Sequence, residues 1–219
     1  MYMQTKRDRG IIGCMLMAVF SALLPVLHAV PDFGILWLPS SAVSAEILQL
    51  FASCYFVAGA IIEPFLIAGV ILLALYFSQT KYLMRVGLFY AVTRVLFAAA
   101  TFYFGWSVRL YAPQDVVTAV VFGIPGMVKG LCALASGAGG LAFSIVMAHY
   151  FKRRNPLAYR GAQLIALAVV VMIACKTLSM WWLPELMIVA FLLSSAVKSV
   201  GLFIIALALQ HKVLMKGTR

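Results

Sequence analysis

Apolar residues run along this chain in long stretches, and the polar positions gather in short clusters between them. Neither the alternation of a half-buried strand nor the narrow apolar stripe of a soluble helix describes them. A helix needs about 20 mostly apolar residues to cross a bilayer. Six stretches meet that length, residues 10–30, 50–78, 86–106, 117–150, 161–183 and 186–210. The connectors hold turn residues and most of the charge: Pro31 to Glu46, Ser78 to Arg85, Ser107 to Asp115, Lys152 to Arg160, and the corner Trp182-Leu183-Pro184-Glu185. The pattern predicts an all-α fold, a polytopic transmembrane helix bundle of six spans in three hairpins, as one integral membrane domain over residues 1–219.

Composition agrees. Of 219 residues, 65% are hydrophobic and 11% charged, with a mean hydropathy of +1.06. Soluble domains carry about 45–50% apolar and about 25% charged residues. A soluble enzyme, a disordered chain and a fibrous protein are therefore excluded.

The net charge of +11, from 17 Lys and Arg against 6 Asp and Glu, is explained by topology. Cytoplasmic loops collect Lys and Arg. With the N-terminus inside, Lys6, Arg7 and Arg9, then Lys81 and Arg85, then Lys152, Arg153, Arg154 and Arg160, and finally Lys212, Lys216 and Arg219 all fall on the inner side. The outer connectors hold only Arg109, beside Asp32, Glu46, Asp115 and Glu185. The expectation is a bacterial-inner-membrane type of cell membrane protein with both termini cytoplasmic. Anionic lipid headgroups suffice as partner for the excess charge, with no nucleic acid needed. The basic start followed by an apolar run also suits a signal peptide, with Val43-Ser44-Ala45 as the cleavage site. The run is long for that purpose and the site lies well beyond it, so a retained first helix is expected. Trp37, Trp106, Tyr111, Trp181 and Trp182 suit an interfacial aromatic belt.

Chemistry must come from polar residues inside the spans. Five charges lie there: Glu63, Arg94, Lys129, Lys176 and Lys198. Each costs about 2.5–3.5 kcal/mol at the bilayer centre even on the lenient insertion scale, so such groups usually face the bundle interior or water. Glu63, Arg94 and Lys198 lie near mid-span, whereas Lys129 and Lys176 lie in outer halves, where long side chains can snorkel to the surface. Glu63 is expected to approach Arg94 or Lys198. That grouping reads either as a structural ion pair or as part of a cavity for an anionic or amphiphilic ligand. Ser194 and Ser195 precede Lys198 by four and three residues, which places all three on one helix face.

Pro64 and Pro125 fall within the second and fourth stretches and predict broken or tilted helices, because proline removes an i→i−4 bond. Gly126-xxx-Gly130 and Ser136-xxx-Gly140-xxx-Ser144 predict close helix packing. Any ligand cavity is expected near mid-membrane between the second, fourth and sixth spans. The four cysteines and three histidines form no metal-ligand spacing, so no metal or cofactor is expected, and no catalytic constellation appears. The sequence thus favours a small transporter or binder of an anionic or amphiphilic molecule. A non-catalytic membrane subunit or scaffold that contacts other membrane subunits is the alternative.

Overall fold

The computed structural model describes residues 2–38, 42–110, 123–179 and 184–214. Helices make up 93% of them, and no strand occurs among them. The elements are α1 (Tyr2–Trp37), α2 (Ala45–Val57), a π turn (Ala58–Ile62), α3 (Glu63–Tyr76), α4 (Lys81–Leu110), α5 (Ile124–Phe151), α6 (Pro156–Ser179) and α7 (Pro184–Leu214). Six stretches are long and apolar enough to span a membrane: Thr5–Asp32, Ala45–Tyr76, Lys81–Arg109, Ile124–Phe151, Pro156–Ala174 and Val189–Gln210. Residues 117–122 and 180–183 of the expected fourth and fifth spans lie outside the described residues. The protein is therefore a multi-pass, all-α membrane bundle whose apolar exterior contacts lipid. An even number of spans places both termini at one end of the bundle, here the terminal end; the opposite end is the far end.

Each span packs against its neighbours in the chain, and α1 closes on α7, so the six spans form a ring. Inward and outward faces separate at helical spacing. Along α1, Cys14, Met17, Ser21, Leu24 and His28 are buried, while Ile12, Val19, Leu23, Val26 and Val30 are exposed. Along α4, the buried series Leu83, Gly87, Tyr90, Arg94, Phe97, Thr101, Phe104 and Val108 repeats every three or four residues, the spacing of an inward seam. Several neighbouring pairs meet backbone to backbone, two of them especially closely. A Cβ on Gly161 of α6 would lie 2.6 Å from the Gly201 carbonyl oxygen of α7, and one on Gly13 of α1 would lie 2.7 Å from the Gly69 carbonyl oxygen of α3. Only glycine permits such approach, and small residues at helix contacts are a general device of membrane bundles.

Two expectations are corrected. Pro31 does not end the first helix: α1 continues through Pro25 and Pro31 to Trp37, so Asp32 is helical. Membrane helices accommodate such prolines because neighbouring groups and small local adjustments satisfy the freed carbonyls. Pro125 occupies the first turn of α5, behind an extended Gly123, where a missing N–H costs nothing; residues 117–122 before it lie outside the described residues. Finally, the Gly126-xxx-Gly130 motif makes no close packing contact at Gly130, where an added Cβ would meet nothing within 4 Å. The second half of the small-residue pattern does pack, with Gly139 and Gly140 lying against Tyr90 and Thr93 of α4.

Candidate functional site

The second span bends its register at the site. Pro64 has no N–H, and its ring would collide with the carbonyl four residues back in a regular helix. The turn before it widens, and the Glu63 N–H donates to the carbonyl of Ala58 instead. In a regular α-helix, Tyr55 and Glu63 would be about 80° apart around the axis. The inserted residue brings both onto the inward face, where each is fully hidden from solvent. Isolated π turns of this kind occur often at functional positions.

Opposite Glu63, the inward seam of α4 supplies Arg94. Its Nη2 donates to both oxygens of the Glu63 carboxylate, forming a buried ion pair. The guanidinium carbon lies 5.2 Å from the centre of the Phe97 ring. The Nε–H of Arg94 is buried and has no hydrogen-bond partner among the described residues. Glu63 and Arg94 thus hold the second and third spans together at mid-bundle.

Lys198, from the middle of α7, is close enough for its charge to act on Glu63. No hydrogen bond or ion pair of its ammonium is present among the described residues. It lies on the wall of a cavity of about 10 Å³ together with Met17, Tyr90, Phe143, Ser144 and Ile165. This volume is about what a single water requires. The cavity is bounded by α1, α4, α5, α6 and α7, and the second span contributes no wall to it. Pro64 is exposed and far from forming part of it.

The other sequence candidates separate. Ser194 donates to the carbonyl of Phe191 at 3.2 Å, and the Ser195 carbonyl accepts from Ser199 at 2.8 Å. Both serines are buried, but neither lines the cavity. Lys129 stands apart from the central group. Its ammonium lies 3.6 Å from Asp32 Oδ1 and over the rings of Tyr55, at 4.0 Å, and Phe104, at 4.4 Å. The side chain of Lys176 lies outside the described residues.

Four residues that sequence reasoning passed over complete the interior. Tyr55 donates its hydroxyl proton to Asp32. His28 stacks on Phe97 at 6.1 Å and meets the edges of Tyr55 and Phe191 at 5.6 and 5.9 Å. The result is a continuous series of contacts from Lys129 and Asp32, through Tyr55, His28 and Phe97, to Arg94 and Glu63. Tyr90, the fourth, is buried beside the cavity, and its hydroxyl makes no hydrogen bond among the described residues. One signal for this series was available: Ser21, His28 and Asp32 share a helix face once α1 is continued past Pro31.

Toward the terminal end the polar series stops. Phe77 meets Phe143 at 6.2 Å, Tyr150 at 5.2 Å and Phe151 at 5.8 Å, and Tyr90 meets Phe143 at 6.2 Å. This aromatic block belongs to one apolar cluster fed by all six spans. No three His, Cys, Asp or Glu side chains gather as a metal site among the described residues. Compared with known proteins, the chain matches no family model, no curated protein and no solved structure.

Proposed function

We propose that this protein is a transporter of a small anionic molecule, with Lys198 as the charge that holds the anion. The observation that carries this reading is the balance of interior charge. Arg94 neutralises Glu63, and Lys129 is set against Asp32, which among the described interior charges leaves the half-buried Lys198 on the cavity wall without an ion-pair partner. An unpaired cation at that depth is costly and marks a substrate or ion path more often than packing. The polar series from Asp32 to Arg94 supplies the route from the far end, and the aromatic block around Phe77 and Phe143 closes the terminal end. In this reading the basic terminal end lies in the cytoplasm, and the protein belongs to a cell membrane of the bacterial inner-membrane type. An amphiphile fits less well, because pockets for such ligands measure about 300–1,000 Å³ and the central cavity measures about 10 Å³.

The test is uptake of anions by proteoliposomes containing the purified protein, compared with Lys198→Met recovered in folded form. Uptake is expected to fall by at least tenfold in the variant. Wild-type uptake by folded Lys198→Met would end this reading.

A second reading, a non-catalytic subunit of a larger membrane complex, is favoured by one observation. In the far half of α5, Ile124, Met127 and Leu131 are exposed and Gly130 faces open space. That face is available to a partner helix.

A further inference from the structure

The walls of the central cavity narrow the substrate class, an inference that rests on the anion-transport reading. Two residues of the cavity wall, Lys198 and Tyr90, carry a donor that meets no acceptor among the described residues. Tyr90 is 5% exposed, and a tyrosine hydroxyl at such burial usually has a partner. The third polar group on the wall, Ser144, has its proton committed to the Gly140 carbonyl at 2.7 Å. The remaining lining is apolar, from Met17, Phe143 and Ile165 among others. No carboxylate is among the residues of this wall; Glu63, near enough to feel the Lys198 charge, is held by Arg94. A cation and a hydroxyl donor on two residues of one apolar wall, around space for one water, suit an occupant that accepts and carries one negative charge.

We infer that Lys198 and Tyr90 form a binding site for a single, largely dehydrated monovalent anion of halide size. Larger carboxylates and phosphates are excluded by volume. A divalent anion is excluded by charge, because one lysine compensates only half of it. A water in the same place would satisfy both donors but would leave the lysine charge uncompensated. The anion removes that cost, and for this reason the site should prefer chloride or bromide to water.

The experiment is thermal unfolding of the purified protein in detergent, with chloride or bromide replacing gluconate at constant ionic strength. In the wild type, Tm should rise with halide and saturate. Tyr90→Phe should weaken the apparent affinity several-fold, Lys198→Arg should retain a saturable response, and Lys198→Met should abolish it. If Lys198→Met does not fold, the Tyr90→Phe and Lys198→Arg titrations decide the matter. A halide response that is absent, unsaturable, or unchanged in Tyr90→Phe and Lys198→Met would overturn the site. Lys198-dependent uptake of a larger organic anion without a halide response would overturn this inference alone and leave the transport reading standing. Absence of both would overturn the two together.

Discussion

In the terminal half of the ring the centre is filled by Phe77, Phe143, Met147, Phe151 and Leu202, drawn from α3, α5 and α7. In the far half the same axis carries His28, Asp32, Tyr55 and Lys129, and α5 buries no residue between positions 126 and 135. The first arrangement holds helices together by shape and excludes water. The second adds charges and hydroxyls, whose contacts are directional, to smaller apolar clusters around Phe51 and Phe104 and around Leu24, Ile62 and Phe97. Lipid offers helices no hydrophobic drive to associate, so packing and polar contacts must do it. The terminal half relies mainly on the first device, the far half on both.

The boundary between the halves is the Glu63–Arg94 pair, and the largest effect is expected there. Arg94→Met leaves a carboxylate buried without its partner, a change that costs about 3–5 kcal/mol. Glu63→Gln combined with Arg94→Met removes both charges and should recover much of that loss. Thermal unfolding in detergent measures both. Equal stability of the single and double variants would show that the pair does not join the halves.

A smaller effect is expected where the far half makes its own ion pair. Lys129 and Asp32 retain some solvent exposure, 14% and 20% of their side chains, and partly exposed pairs contribute on the order of 1 kcal/mol or less. Lys129→Met should therefore lower stability by about 1 kcal/mol, with the methionine side chain still lying on the Tyr55 and Phe104 rings. A loss as large as that of Arg94→Met would mean that the far half is as tightly built as the centre, and the contrast drawn above would fail.

The division also shows what could be read in the sequence. Six apolar stretches separated by basic and turn-forming clusters determine a six-span bundle, because a bilayer permits little else. Charges within those stretches stand out for the same reason, so Glu63, Arg94 and Lys198 were legible as interior groups. Asp32, His28 and Tyr55 were not. Pro31 looks like a helix end by rules learned in water, and assigning Asp32 to a loop hid its one-turn spacing from His28. The π turn before Pro64 shifts the register by one residue, which no periodicity count anticipates. Small residues were visible as packing signals, yet which of them pack depends on how neighbouring helices cross. Gly161 and Gly201 meet, whereas Gly130 does not.

That last difference gives the smallest and most discriminating prediction. Gly201→Leu would drive a side chain into the Gly161 carbonyl oxygen, 2.7 Å from the first added carbon. Overpacking of this kind typically costs about 1–3 kcal/mol. Gly130→Leu adds the same side chain to a helix position with nothing within 4 Å. Its effect on the isolated protein should lie within about 0.5 kcal/mol of zero, as for other substitutions away from packed features. The two functional readings part at this residue. If the chain acts alone as a carrier, Gly130→Leu should leave anion uptake in proteoliposomes at the wild-type level, since Gly130 touches neither the cavity nor the polar series. If the far half of α5 is a docking face for another helix, the leucine fills the groove that a partner backbone would occupy. The variant should then lose a partner that copurifies with the wild-type protein while its own melting temperature stays unchanged. Substantial destabilisation of purified Gly130→Leu would contradict both readings, because it would place a packed neighbour where the structure has open space.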